Sequence, residues 1–188
     1  MAHPTFGRAP VATGYFWAAN RVLAALKDGG RLPCDLAVYP AVFLLRHAVE
    51  LTFKELIAAL DIVQGLPRRH LHGHDLSVLW NYLGPSLEVF DLCEWGLGEE
   101  RPKAVDRVEP KLDLLVAVLH EIDPDGENAR YDIQPHPEEG KIKVTLARCR
   151  RMNLGALASI TADVEVWADW KMHLVQDYLD AYTSVAAT

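Results

Sequence analysis

Apolar side chains recur at helical spacing through most of this chain, and they are densest over residues 41–60, AVFLLRHAVELTFKELIAAL, a segment apolar on nearly every side. Such a stretch reads as a central, buried helix. At about 100° per residue its exceptions, Arg46, His47, Glu50 and Lys54, fall within roughly a quarter of the circumference and form a narrow polar stripe. Upstream, residues 11–28 carry Phe16, Trp17, Val22, Leu23 and Leu26 at helical spacing, and Gly29-Gly30 supplies the stop. Asp35 caps a second segment in which Pro40 marks a kink or a restarted first turn. The central helix then runs to about Val63 and ends near Gly65-Leu66-Pro67.

Downstream the pattern stays helical. Asp75 caps a third helix from Leu76 to about Leu83, which Gly84-Pro85 interrupts before it resumes towards Cys93. A polar loop spans residues 96–102, and residues 103–122 place Val105, Val108, Leu112, Leu115, Val116 and Leu119 on one face of a fourth helix. Asp123-Pro124-Asp125-Gly126 is a strong breaker. Residues 129–134 and 141–146 then alternate in strand fashion around the turn-rich 135–140, which predicts a short hairpin. Asn153 caps a long last helix reaching about Tyr182, with Leu154, Leu157, Ile160, Val164, Trp167, Leu174, Tyr178 and Leu179 as its apolar contacts. The expected fold class is all-α: an up-and-down bundle of about five helices with a short β-hairpin excursion.

Composition narrows the picture. A chain of 188 residues, 50% hydrophobic, is long enough for one sizeable core, and neither a repeat nor a Pro/Gly/Ser-rich linker divides it, so residues 1–188 read as a single domain. Nineteen basic against 26 acidic side chains give a net charge of −7, which argues against broad attraction to nucleic acid or anionic membrane while leaving room for a local basic patch. Cys34, Cys93 and Cys149 are odd in number and far apart, which fits reduced cytoplasmic thiols better than a disulfide framework or a zinc knuckle. The N-terminus lacks a basic region followed by an uninterrupted apolar core, and charge breaks every long apolar segment, so the expectation is a cytoplasmic protein with no membrane span.

Three constellations invite chemistry. In the central stripe Glu50 precedes Lys54 by four residues in the favourable order and Arg46 lies one turn before Glu50, so the three either neutralise one another along a packed face or line a cleft in which Arg46 presents its fork to a phosphate or carboxylate. The run Arg68-Arg69-His70-Leu71-His72-Gly73-His74-Asp75 is the most basic and His-rich in the chain. Its order, with Asp75 after the last His, departs from the metallohydrolase pattern HxHxDH, so no metal or other cofactor is expected and a loop that starts a helix accounts for it. Arg130-Tyr131, at the start of a strand, either clamps a ligand by stacking and charge or packs on the body. No G-x-S-x-G elbow, G-x-G-x-x-G loop or Walker-type GK[ST] occurs, which disfavours serine hydrolases and the common nucleotide-binding α/β enzymes. Trp167 and Trp170 belong to the core or to a dimer surface.

The order YPAVFLLRHAVELTFKELI, HDLSVLW, DPDGENARYDIQ, a short hairpin, and MNLGALASI resembles bacterial proteins of the HEPN-like helical superfamily, in the branch with FLxRHAxELxxK, GHDL and R-Y motifs. The likeness covers about residues 39–180. It implies an all-α bundle, often a homodimer, with roles in defence or toxin-type systems and with RNA, a cognate antitoxin or another protein as partners. Active members are metal-independent ribonucleases that use R-x4-6-H, the Arg stabilising charge on the phosphate and the His acting as acid and base. Arg69-x4-His74 has that spacing, and Arg46 from the central helix is the alternative partner for His74. The resemblance thus implies His74, Arg46 and Arg69 as catalytic residues, and His47, Glu50, Lys54, Asp75, Arg130 and Tyr131 as ligand-binding ones. The alternative is a non-catalytic helical interaction or dimerisation module in which the same charges form a buried salt-bridge network.

Overall fold

A computed structural model describes residues 9–27, 34–67, 71, 73–92, 101–124, 126, 133–135, 142–144 and 153–186. Helix α1 (Ala9–Lys27) buries Ala12, Phe16, Ala19, Leu23 and Leu26, a stripe at alternating three- and four-residue steps. Trp17, expected on that stripe, points to solvent at 59% exposure, one position off it, and the Arg21 guanidinium lies over its ring at 5.3 Å. The central helix α2 (Cys34–Val63) is one continuous helix with Pro40 inside it and Asp35 in its first turn. It packs against α1, α3 and α6, which is why it is apolar almost all round.

Phe53 marks the middle of the core. Its ring stacks on Trp80 at 5.3 Å and meets the edge of Trp167 at 6.2 Å, which joins α2 to α3 (Leu76–Leu92) and α6 (Leu154–Ala186). Asp75 caps α3 as expected, its Oδ1 accepting the Ser77 and Val78 N–H groups at 2.8 and 3.1 Å. Asn153 does the same for α6 through the Ala156 N–H at 3.0 Å.

The prolines behave differently from one another. Gly84-Pro85 does not interrupt α3: Leu79, Leu83, Leu87 and Phe90 anchor both halves in the core, and the Asn81 carbonyl that Pro85 cannot serve belongs to an exposed residue. Pro110 does divide the expected fourth helix, into α4 (Lys103–Val108) and α5 (Leu112–Ile122), joined by a 3-10 turn over Glu109–Lys111. The expected apolar face survives the break, with Val105, Val108, Leu112, Leu115, Val116 and Leu119 all buried.

Two three-residue strands, β1 (Ile133–Pro135) and β2 (Ile142–Val144), pair antiparallel with Ile133 opposite Val144. The remainder of the expected strand runs lies outside the described residues. The body is therefore all-α, and no described helix is long and apolar enough to cross a membrane. Leu83→Ala, at a fully buried site, should cost about 2–5 kcal/mol in urea unfolding. The same change at Leu114, 66% exposed on α5, should stay within about 0.5 kcal/mol.

Candidate functional site

Helix α2 sets Arg46, Glu50 and Lys54 one above another, and two loops close over them: the one before α3, with Gly73, His74 and Asp75, and the one after α5, with Asp123, Pro124 and Gly126. Arg46 is the link between all three segments. Its Nε donates to the Asp123 carbonyl at 2.7 Å, with the Asp123 carboxylate at 3.6 Å, and its Nη1 donates to Glu50 Oε2 at 3.1 Å. Its Nη2 donates to the His74 carbonyl and, at 3.5 Å, to that of Pro124. At 1% exposure the guanidinium is enclosed by these acceptors.

Glu50, equally buried, collects the rest of the stripe. Lys54 Nζ donates to its Oε1 at 2.8 Å and to the Gly73 carbonyl at 2.7 Å. His74 Nδ1 reaches the same Oε1 at 2.8 Å, and His47 Nδ1 lies 3.9 Å from Oε2. Burial by itself pushes the Glu50 carboxyl up, but the hydrogen bonds and charges of Lys54 and His74 outweigh it and hold the group below the ordinary glutamate value. An ionised carboxylate only accepts, so it fixes the proton of His74 on Nδ1 and turns Nε2 outward. The His74 side chain is 47% exposed, and no described residue hydrogen-bonds its Nε2. The cluster is thus buried and balanced inside, with one imidazole at its outer end.

His47 stands a step aside, its ring between the Tyr15 edge at 4.6 Å and the Phe43 face at 5.8 Å. Asp75, besides capping α3, places Oδ1 3.4 Å from His120 Nδ1. Arg69, Arg130 and Tyr131 lie outside the described residues, as do His70 and His72. Among the described residues no group of three His, Cys, Asp or Glu side chains converges as a metal site would require.

Residue patterns gave no sign of the groups that complete the cluster. Arg46 is satisfied largely by backbone carbonyls, which every residue carries. His120 occupies one polar position on an amphipathic helix, and Gly126 reads simply as part of a breaker. Yet Gly126, at φ +76°, is where a Cβ would come within 2.7 Å of Arg46 Nη1 and 3.1 Å of His74 Cβ.

Gly126→Ala should therefore destabilise by more than Gly65→Ala, which has a similar φ of +66° but nothing within 4 Å of the added methyl; about 1 kcal/mol is expected at Gly65 and roughly 2–4 at Gly126, read by thermal unfolding. Because the folded-state pKa of Glu50 is depressed, its contribution to stability is full above its unfolded value and is lost as pH falls through the folded one. Urea melts from neutral pH down to about 3 should show Glu50→Gln losing less stability on acidification than wild type. The chain matches no family model, no curated protein and no solved structure.

Proposed function

We propose that this chain is a HEPN-like helical protein that binds RNA or a nucleotide-like ligand at the outer end of the Arg46–Glu50 network and uses His74 as its proton-transfer group. The observation that carries the reading is a half-exposed imidazole whose Nδ1 rests on a carboxylate that is itself only 2% exposed. Buried ion pairs are a poor means of gaining stability, since well-packed apolar side chains serve as well or better. A buried carboxylate that orients a surface imidazole is a recognised way to prepare a general base.

In this reading Arg46 is a positioning residue, because Nε, Nη1 and Nη2 each donate to a protein acceptor, and Lys54 holds the Gly73 carbonyl so that His74 keeps its place. Contacts to phosphate fall to Arg69, Arg130 and Tyr131, on the strength of the motif resemblance. A cytoplasmic homodimer with α6 at its seam, in a defence or toxin-type setting with an antitoxin or other protein partner, belongs to the same proposal.

The second reading, a non-catalytic interaction module, is favoured by a different observation. Leu114 and Val118 of α5, 66% and 43% exposed, stand beside Leu157 and Ile160 of α6 along an apolar groove of about 460 Å³. There the network only fixes loop and helix register.

Labelled mixed-sequence RNA, incubated in EDTA at two salt concentrations, separates the two. The first reading predicts salt-sensitive binding and cleavage that falls by about a hundredfold or more in His74→Ala while the variant stays folded. Cleavage that persists in His74→Ala removes the proposal, and absence of binding at either salt leaves the interaction module. Under both readings Glu50→Ala should cost about 3–5 kcal/mol in a thermal melt, because it strands the buried Arg46 charge.

A further inference from the structure

We propose that His120, beside Asp75, is a second proton-transfer group of the same site, so that two imidazoles, each turned to a carboxylate through Nδ1, act on one phosphodiester. This rests on the His74 reading above.

Two consecutive residues connect the pairs: His74 gives its imidazole to Glu50 at 2.8 Å, and Asp75 gives its carboxylate to His120 at 3.4 Å. Arg46 joins the segments that carry the two pairs. Its Nη2 holds the His74 carbonyl and its Nε holds that of Asp123, whose own N–H closes on the Leu119 carbonyl at 3.0 Å, one residue before His120. Both rings remain in reach of solvent, with side-chain exposures of 47% and 35%.

Asp75 is itself held, since its Oδ1 accepts the first N–H groups of α3. His120 Nδ1 is buried, and no described group completes a hydrogen bond to it; the Asp75 carboxylate is an ion-pair neighbour at slightly longer range. Contacts of catalytic groups are often long before substrate is bound and tighten when it arrives. Among the described residues, the charged groups paired with the two rings are Glu50 for His74, with Lys54 and Arg46 on the same carboxylate, and Asp75 for His120.

The pairing suits transfer within an RNA strand. One imidazole, neutral and bare at Nε2, takes the 2′-hydroxyl proton as that oxygen bonds to phosphorus. The other, protonated, gives a proton from Nε2 to the departing 5′-oxygen as its bond to phosphorus breaks. The products are a 2′,3′-cyclic phosphate and a 5′-hydroxyl, and protons and electrons balance with no further reactant.

The test compares wild type, His74→Ala and His120→Ala on labelled RNA in EDTA across about pH 5 to 9. Wild type should give a bell-shaped profile. His120→Ala should be slowed about a hundredfold or more and should lack one limb of the bell. A substrate with sulfur in place of the departing 5′-oxygen needs no proton, so it should restore whichever variant has lost the acid. A His120→Ala enzyme with wild-type rate, or one that is slower with both limbs intact, overturns the inference while loss of activity in His74→Ala leaves the His74 reading standing. Absence of cleavage by wild type overturns both.

Discussion

The Arg46 guanidinium decides how the two ends of this fold meet. It projects from the central helix into the protein interior, where a buried cation is tolerable only if acceptors meet its N–H groups. Glu50 accepts from Nη1, and the main-chain carbonyls of Asp123, His74 and Pro124, from segments on either side of α3–α5, accept from Nε and Nη2. Two loops far apart in the sequence are thereby tied to one side chain. Gly126 completes the arrangement by leaving room where any side chain would strike the guanidinium.

Once that centre is fixed, the polar side chains around it fall into order. Glu50 answers Arg46, Lys54 and His74 answer Glu50, and charge is nearly balanced before the surface is reached. A second buried cation follows the same rule elsewhere in the bundle: Lys171 of α6, 1% exposed, pairs with Glu109 in the turn that Pro110 creates, and Arg101 pairs with the same Glu109. What distinguishes the Arg46 cluster is its outer end. Lys171 closes on a carboxylate, whereas the Arg46 chain of contacts ends on a half-exposed imidazole whose Nε2 is hydrogen-bonded by no described residue.

Helices were legible in the sequence wherever apolar spacing was strong, because burial of one face is the term that selects them. The all-α body, the Asp75 and Asn153 caps and the polar stripe on α2 all followed from spacing and residue type. The prolines were not legible, since Pro85 and Pro110 carry the same local penalty and only tertiary anchoring separates them: Leu83 and Leu87 bridge the first, while the second falls where α4 and α5 bury their faces independently. Within the site, Arg46, Glu50, Lys54 and His74 could be grouped from helical period and motif. Carbonyl acceptors and His120 could not, because backbone groups have no residue signature and one His on an amphipathic helix has no period of its own.

The enclosure of Arg46 is the claim on which the rest depends, and NMR of arginine Nε–H groups reads it directly. Its Nε–H, assigned by its absence from an Arg46→Lys variant, should exchange with solvent far more slowly than that of Arg21, which lies exposed over Trp17. Exchange of Arg46 as fast as that of Arg21 would mean an open guanidinium free to meet a ligand, and would contradict the account.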